Sequence, residues 1–449
     1  MNLTETAEVA ADYTPWRATK FYVPLLIQAA SQSLTYPLVA AIVSHGANGV
    51  VDLAAFSQGQ IVMFVIIAFG GGLLTTGMVF GRDAEGFREF KRLNQLFCLT
   101  LIIFQAVVCL HPFDHVVFRL ILGLAAPLDK VARDVLLYSI PMQVFIYFRN
   151  APLVALYNAR ASAAVNWTTL FRIGMTLLLV PIFIRLGWTG PLMGVLAITL
   201  PIGVETGLSA WLAAPIIRGL KPARQITAGI KEQFFFNMPL SFGVVLLAIS
   251  GFMVGAFIAR AVEPERMLPI HYVTMGLINP VGVAALRMQA VVISFPPRHR
   301  QDHSIFWFAL VSGLVLSLFS LVGQIPFVAD WYFVGIQNLP RMDAPLAVQA
   351  MLLATILPVL QSLRGHAEGI AAWQKRPNAI LAGQAMFLAS LVCALFILLN
   401  LGVSGYLMGV IALLVAVTMT LVTIRMGLVW ADMEDKFGES TRAVRNTEG

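Results

Sequence analysis

The amino-acid sequence predicts an all-α integral membrane protein, with about twelve transmembrane helices in two parallel six-helix bundles. Three observations support this prediction: a low charge content, a regular succession of long apolar segments and an internal repeat. Of the 449 residues, 58% are hydrophobic and only 12% are charged. Soluble domains carry roughly 25% charged residues. The charge is therefore too scarce to cover a water-exposed surface of this size, and the lipid bilayer is the first expected partner.

The apolar segments are long enough to cross a bilayer, which takes roughly 20 residues of helix. They lie near residues 19–44, 53–80, 93–112, 134–157, 167–186, 190–217, 233–262, 268–295, 304–328, 346–373, 378–400 and 404–430. An even number of spans places both ends of the chain on the same side of the membrane.

The loops on the two sides of the predicted bundle differ in their basic residues. With the N-terminus in the cytoplasm, the outer side carries Arg119, Lys130, Arg133, Arg185, Arg260, Arg266 and Arg341. Most of the other Lys and Arg residues then lie in cytoplasmic loops, as the positive-inside rule requires. We therefore expect a monomeric multi-pass protein of the cell (inner or plasma) membrane, with both termini cytoplasmic. The net charge of +7 is spread over short loops rather than one helix face, so nucleic acid is not an expected partner.

The two halves of the chain repeat one another. The segment Gly-Trp-Thr-Gly-Pro-Leu-Met-Gly at 187–194 recurs as Gly-Val-Ser-Gly-Tyr-Leu-Met-Gly at 402–409. A repeat of six helices preserves orientation, so the pseudo-two-fold axis runs along the membrane normal, and a substrate site is expected between the halves. The expected organisation is an N-terminal bundle at 1–217, a cytoplasmic linker at 218–232, a C-terminal bundle at 233–430 and a cytoplasmic tail at 431–449.

Three arginines lie deep inside predicted helices, where burying a charge costs at least a few kcal/mol. Arg149, Arg287 and Arg364 each lie about two turns before the cytoplasmic end of their own segment. Such long side chains can reach the membrane surface, as we expect for Arg172, which lies nearer to an end. Three arginines at one level on separate helices nevertheless indicate a shared aqueous cavity.

His366 occupies the position in the second repeat that Arg149 occupies in the first, counted from Pro358 and Pro141 respectively. A basic pair in matching positions would suit a doubly anionic substrate. A hydrogen-bonded histidine of the helical core is the alternative interpretation. Arg364 and His366 lie roughly 200° apart on a regular helix, so they face one cavity only if the helix is loosened.

Two acidic residues lie well inside the predicted spans. Glu368 follows Arg364 by one helical turn on the same face, so an ion pair is expected. That pair either stabilises the helix or opens when substrate binds the arginine. Glu205 is a candidate proton carrier, or else the partner of an arginine on another helix. Both are therefore candidate coupling or ion-pair residues.

The first predicted helix carries a polar stripe of Gln28, Gln32, Thr35 and Tyr36, which a helical period places on one face. Such a stripe either lines a cavity or bonds a neighbouring helix. Gln28, Gln32 and Tyr36 are accordingly candidate substrate-binding residues.

The sequence lacks the motifs of common enzymes, including GxSxG and HExxH. We therefore predict no catalytic residue, no metal site and no cofactor. A membrane-embedded enzyme would need acids or a metal site that the sequence does not offer.

Several segments resemble the progressive ankylosis protein (inorganic pyrophosphate transport regulator) family, within the superfamily of multidrug, oligosaccharidyl-lipid and polysaccharide exporters. They are Tyr22-Val-Pro-Leu25, Thr76-Gly-Met-Val-Phe80, Asn279-Pro-Val-Gly282 and, most clearly, Pro358-Val-Leu-Gln-Ser-Leu-Arg364-Gly-His366-Ala-Glu-Gly369 followed by Trp373, Lys375 and Arg376. The resemblance implies a multidrug-exporter-like fold of two six-helix bundles, and it extends over most of the chain.

The resemblance also implies site residues, namely Arg287, Arg364 and His366, with Asn279 as a further candidate. Arg149 comes only from the internal repeat, because the family has a histidine nearby instead. The function implied is export of small multivalent anions such as pyrophosphate, ATP or citrate. The basic residues agree with this, since guanidinium groups bind phosphate and carboxylate oxygens.

We therefore expect an anion transporter that works by alternating access through a basic central cavity. The principal alternative is a flippase for a lipid-linked anionic diphosphate. Export of cationic drugs is less favoured, because the first helix offers glutamines rather than an acid. A channel would be revealed by unitary currents.

Overall fold

The computed structural model describes residues 13–32, 39, 42–43, 45–47, 50–122, 124, 126–223, 228–258, 260–298, 302–336 and 339–447. The described chain is all-helical and separates into two compact units. The N-terminal unit runs from Thr14 to Ala248, and the C-terminal unit holds Tyr13 and the chain from Ile249 onward.

In the first half of the chain, the helices are α1 (Pro15–Gln32), α2 (Val50–Ala68), α3 (Leu73–Phe80), α4 (Ala84–Val108), α5 (Ala126–Tyr138), α6 (Ile140–Asn158), α7 (Ser162–Arg185) and α8 (Pro191–Arg218), with a π-helix at His115–Ile121. Helix α9 (Ile230–Ile258) follows and passes from the N-terminal to the C-terminal unit.

The remaining helices are α10 (Pro264–Leu286), α11 (Met288–Ser294), α12 (Ser304–Val322), α13 (Pro326–Ala329), α14 (Ala344–Ala354), α15 (Leu357–Trp373), α16 (Pro377–Asn400) and α17 (Gly405–Thr447), with a second π-helix at Asp330–Ile336.

Eleven candidate membrane spans lie within the described residues. They are Ala55–Phe80, Ala84–Val108, Leu128–Asn158, Ser162–Arg185, Pro191–Arg218, Ile230–Ile258, Ile270–Ser294, Ser304–Val322, Ala344–Trp373, Pro377–Asn400 and Gly405–Val429. The predicted first span, 19–44, begins in α1 and continues through residues outside the described part of the chain. The predicted membrane-helical fold class is confirmed.

Helix α4 begins nine residues before the predicted start at residue 93. Its first two turns are polar, so hydropathy does not mark them. Asp83 caps the helix, because its Oδ1 accepts a hydrogen bond of 2.7 Å from the amide of Gly86. Capping of this kind stabilises a helix end by about 1 kcal/mol. The amphipathic start of α4 thus extends the helix beyond its apolar segment.

Four of the spans are broken, and the breaks recur in both halves of the chain. The turn at Gly70-Gly71-Gly72 separates α2 from α3, and Arg287 separates α10 from α11. Ser139 separates α5 from α6, and a turn at 355–356 separates α14 from α15. A proline follows each of the latter two breaks within the first two positions of the next helix. Proline suits that position, since it has no amide hydrogen to donate to the preceding turn.

Two pairs of residues in rarer backbone conformations recur at the same spacing. Arg160 and Lys375 both adopt the left-handed conformation with φ of 58°, and Gly187 and Gly402 have φ of 72° and 69°. From 160 to 375 and from 187 to 402 the separation is 215 residues in both cases. These positions follow matching helices in the two halves. The sequence repeat is therefore accompanied by a repeat of local backbone geometry.

Candidate functional site

Glu205 lies at the centre of a buried ion cluster in the N-terminal unit. Its carboxylate is fully buried and forms an ion pair with Arg149 Nη1 of α6. Arg172 Nε of α7 lies 3.5 Å from the same Oε2 atom. Thr169 Oγ1 donates a hydrogen bond of 2.7 Å to the other oxygen, Oε1. One acid is thus held by two arginines and a hydroxyl, and the cluster carries a net charge of about one positive unit.

A hydrogen-bond chain extends this cluster to the first helix. Gln28 Nε2 donates to Thr169 Oγ1 over 3.2 Å, and Tyr157 Oη donates to Gln28 Oε1 over 3.1 Å. Gln28 is buried. The chain therefore joins α1, α6, α7 and α8 through polar side chains, as expected where helices associate in lipid.

The position of the Arg172 side chain differs from the expectation, based on sequence, that it reaches the membrane surface. Its side chain is only 8% exposed, and it lies beside Glu205. The physical reason is that an ion pair with a carboxylate offsets the cost of burying the guanidinium group. Sequence reasoning missed this residue because it judged Arg172 by its distance from a helix end.

Arg364 is buried in the C-terminal unit, with 2% of its side chain exposed. Its Nε donates a hydrogen bond of 2.8 Å to Glu368 Oε1, one helical turn along α15. The guanidinium carbon lies 5.3 Å from the centre of the Phe387 ring of α16. Arg364 Nη2 is buried and makes no hydrogen bond with any described residue. The arginine is thus neutralised by Glu368 but keeps unused donor capacity.

His366 lies close to Arg364 in sequence but has different neighbours. Its Nδ1 lies 2.8 Å from Arg425 Nη2 of α17, and its ring lies edge-on to Phe306 of α12, with centroids 5.8 Å apart. The Arg425 guanidinium also lies over the Phe306 ring, at 5.7 Å. The two residues therefore use different sides of α15, as their angular separation on a helix indicates.

Arg287 sits at the break between α10 and α11. Within the described part of the chain it forms no ion pair, and its buried Nε has no hydrogen-bond partner. Gly365 of α15 packs against this break: a Cβ placed on Gly365 would lie 2.7 Å from the carbonyl oxygen of Leu286. Arg287 is therefore a partly buried cation without a carboxylate in contact.

The other candidate residues lie elsewhere or outside the described part. Asn279 is exposed on α10. The side chain of Gln32 and the whole of Tyr36 are not among the described residues. No group of three or more metal-binding side chains occurs within the described ranges.

Solved structures with the same architecture are found among transporters. An outward-facing multidrug resistance MATE family transporter of the MOP superfamily has a TM-score of 0.72 and 16% identity, with 97% of this chain and 98% of that chain covered. A MOP superfamily transporter from Pyrococcus furiosus, whose binding pocket is described as having reverse polarity, has a TM-score of 0.70, 16% identity and the same coverage. A mutant of a Vibrio cholerae MATE transporter has a TM-score of 0.69 and 17% identity, with 95% and 98% covered.

The chain has the fold of the MATE transporters. No protein-family model and no curated protein matches its sequence. At these identities the likeness establishes the fold alone. The predicted multidrug-exporter-like architecture is thereby confirmed.

Arg425 is the main residue of the MATE-fold C-terminal unit that sequence reasoning did not select. It was assigned to a cytoplasmic end because the apolar segment stops near residue 430. Helix α17 continues to Thr447, and Arg425 lies four residues before Val429, the last residue of the candidate span in this helix. The available sequence signal was that Arg425 lies within the predicted span 404–430, as the three selected arginines lie within theirs.

Proposed function

We propose that this protein is a membrane transporter for small multivalent anions and that it works by alternating access. The observation that carries the proposal is a basic excess in two groups of charged side chains among the described residues, one around Glu205 and one on or beside α15. Those groups are Arg149, Arg172, Arg287, Arg364 and Arg425 against Glu205 and Glu368. A charge inside a membrane helix is expensive and is retained for function. Five guanidinium groups against two carboxylates leave a net positive charge, which favours an anionic substrate.

The pairing of Glu205 and Glu368 with arginines supports this proposal over a cation exporter that would use either acid. A cation would need a carboxylate with negative charge to spare. Glu205 is already shared by two arginines, and Glu368 is bound to Arg364. One MOP superfamily transporter of the same fold is described as having a binding pocket of reverse polarity and a different function. The same fold therefore occurs with binding pockets of different polarity.

Arg287 is the proposed principal substrate ligand, because it is partly buried and no described carboxylate contacts it. Guanidinium groups bind phosphate and carboxylate oxygens in a bidentate manner. Arg364, with its unused Nη2, is proposed as a second ligand, and Arg149, His366, Asn279 and the stripe of Gln28, Gln32 and Tyr36 remain proposed contributors.

The test is efflux from liposomes that contain the purified protein and are loaded with labelled pyrophosphate, ATP or citrate. We expect release of at least one anion, and at least a tenfold lower rate with Arg287→Ala. Arg287→Lys should recover only part of the rate, since lysine lacks the planar fork. Arg88→Ala is the matched control, because the Arg88 side chain is 64% exposed on α4.

Unchanged efflux by Arg287→Ala would remove this residue from the site. Absence of release for all three anions, with monodisperse protein in the vesicles, would contradict anion export. It would then favour the lipid-linked diphosphate, which the same vesicles can test with a fluorescent headgroup.

A further inference from the structure

His366, which is buried, and Arg425, which is half-buried, form a contact between two basic side chains. Their nitrogens, Nδ1 and Nη2, lie 2.8 Å apart, and His366 is 5% exposed. Among the described residues, no carboxylate contacts either of them. Two positively charged groups at this distance in a helix core would repel strongly.

The chemistry of the two groups fixes the protonation state of this contact. A guanidinium group can only donate hydrogen bonds and does not lose its proton in proteins. His366 Nδ1 must therefore accept, which requires an imidazole that carries its only N–H at Nε2. A proton on Nδ1 would place two N–H donors against each other. The proton and the Arg425 hydrogen bond are thus mutually exclusive.

The charged neighbours of His366 do not remove this conflict. Arg364 and Glu368 on its own helix pair with each other. Helices α11 and α12, which pack against α15, contain no charged residue. Helix α16 places the ring of Phe387 against the guanidinium group of Arg364. Arg287 at the end of α10 adds a further positive charge, and α17 contributes Arg425. The surroundings therefore oppose protonation of His366 while no anion is present.

We propose that His366 and Arg425 form a proton-linked anion site, in which an oxyanion and one proton bind together. A carboxylate or phosphate oxygen placed between the two side chains accepts a hydrogen bond from each. The acid form of the aqueous buffer loses the proton, which forms the Nδ1–H bond, while the Arg425–His366 hydrogen bond breaks. The anion thus replaces the imidazole as the acceptor for Arg425 and offsets the repulsion between the two cations.

This inference rests on the proposed anion transport and adds its coupling. Because binding linkage is reciprocal, an anion that raises the proton affinity of His366 must itself bind more tightly when the proton is present. The anion and the proton then cross in the same direction, and each transport cycle carries one negative charge fewer than the free anion has. A structural role for His366 would give no such linkage.

The test is calorimetry of pyrophosphate, ATP and citrate binding to the full-length protein in detergent, at one pH in two buffers of different ionisation enthalpy. The difference between the buffers gives the protons taken up per anion. His366→Asn keeps an acceptor for Arg425 but cannot bind a proton. We expect the wild-type protein to take up more protons than His366→Asn, with a difference approaching one per anion. Protonation of the anion itself cancels in this difference.

His303→Asn is the matched control, since His303 is exposed at the start of α12 in the same unit. It should take up as many protons as the wild-type protein. Equal uptake by the wild-type protein and His366→Asn would overturn the proton link and leave anion transport standing. If His366→Asn does not bind the anion, the pH dependence of the wild-type affinity for the fully ionised anion is measured instead. An affinity that does not change with pH overturns the proton link. An affinity that falls by close to tenfold for each unit of rising pH supports it. Absence of binding by all variants overturns both proposals.

Discussion

At the residue scale, one buried carboxylate of the N-terminal unit contacts two arginines. Glu205 is fully buried with Arg149 and Arg172 beside it. Removing one partner of a buried ion pair leaves an uncompensated charge and costs about 3–5 kcal/mol. This cost is larger than the stability lost with an exposed ion pair, which contributes about 0–1 kcal/mol.

We therefore expect Glu205→Gln to lower the melting temperature of the purified protein by many degrees, or to prevent its recovery. Glu89→Gln is the matched control, because Glu89 bonds Arg92, whose side chain is 61% exposed. That variant should melt within about two degrees of the wild-type protein, since the exposed Glu89–Arg92 pair contributes little to stability. Equal melting of the two variants would contradict the central role of Glu205.

Substitutions of Arg364 and Arg287 should distinguish effects on stability from effects on transport. Arg364→Ala leaves Glu368 buried without its partner, so both melting temperature and efflux should fall. Combining it with Glu368→Ala should restore much of the stability but not the efflux. Arg287→Ala, which breaks no ion pair among the described residues, should lower efflux with little effect on melting. Recovery of efflux in the double variant would show that Arg364 serves the structure only.

At the element scale, close packing of α15 against α10 and α11 depends on glycine. A Cβ on Gly365 would lie 2.7 Å from the Leu286 carbonyl oxygen, and one on Gly369 would lie 2.6 Å from Val292 Cβ. Both distances are shorter than real Cβ atoms adopt, so the helices must separate or bend. This packing fixes α15, which carries Arg364 and His366.

Gly369→Ala should therefore destabilise the protein by about 1–3 kcal/mol, as overpacking does in other cores. Gly251→Ala in α9 is the control, because a Cβ there meets no atom within 4 Å. That substitution should be neutral or should stabilise by up to about 1 kcal/mol through helix propensity. Thermal melting in one detergent compares the two, and a more stable Gly369→Ala would contradict the packing argument.

Most of the elements were predictable from sequence, whereas the ion pairs between them were not. Long apolar segments are a local signal, so the spans from 53–80 onward correspond to helices in the structure. The pair Arg364–Glu368 is also local, since it spans one helical turn. The pairs of Glu205 with Arg149 and Arg172, and of His366 with Arg425, join helices that are distant in sequence. Their partners depend on packing, which no single-sequence pattern specifies.

At the scale of the whole molecule, the repeat extends to its irregularities. The broken spans and two pairs of left-handed residues recur at matching places, but the ion pairs between helices do not. Where the N-terminal unit places Glu205 against Arg149, the matching helices of the C-terminal unit place Arg425 against His366. The two halves thus share a backbone plan and differ in electrostatics.

An even number of spans should place both ends of the chain in the cytoplasm. Reporter fusions that are active only on one side of the membrane can check this at each terminus. We expect cytoplasmic reporters to be active at both ends. Activity on opposite sides would show an odd number of spans and would contradict the parallel repeat.

The position of the acids along the chain has a consequence for biosynthesis. Arg149 is synthesised before its partner Glu205, and the two are 56 residues apart along the chain. At roughly 5–20 residues per second, that interval lasts about 3–11 s. Arg364 and Glu368 lie on one helical turn and leave the ribosome almost together. Helix α15 can therefore enter the lipid as a neutral unit, whereas α6 must remain beside the insertion machinery or near the surface until α8 arrives.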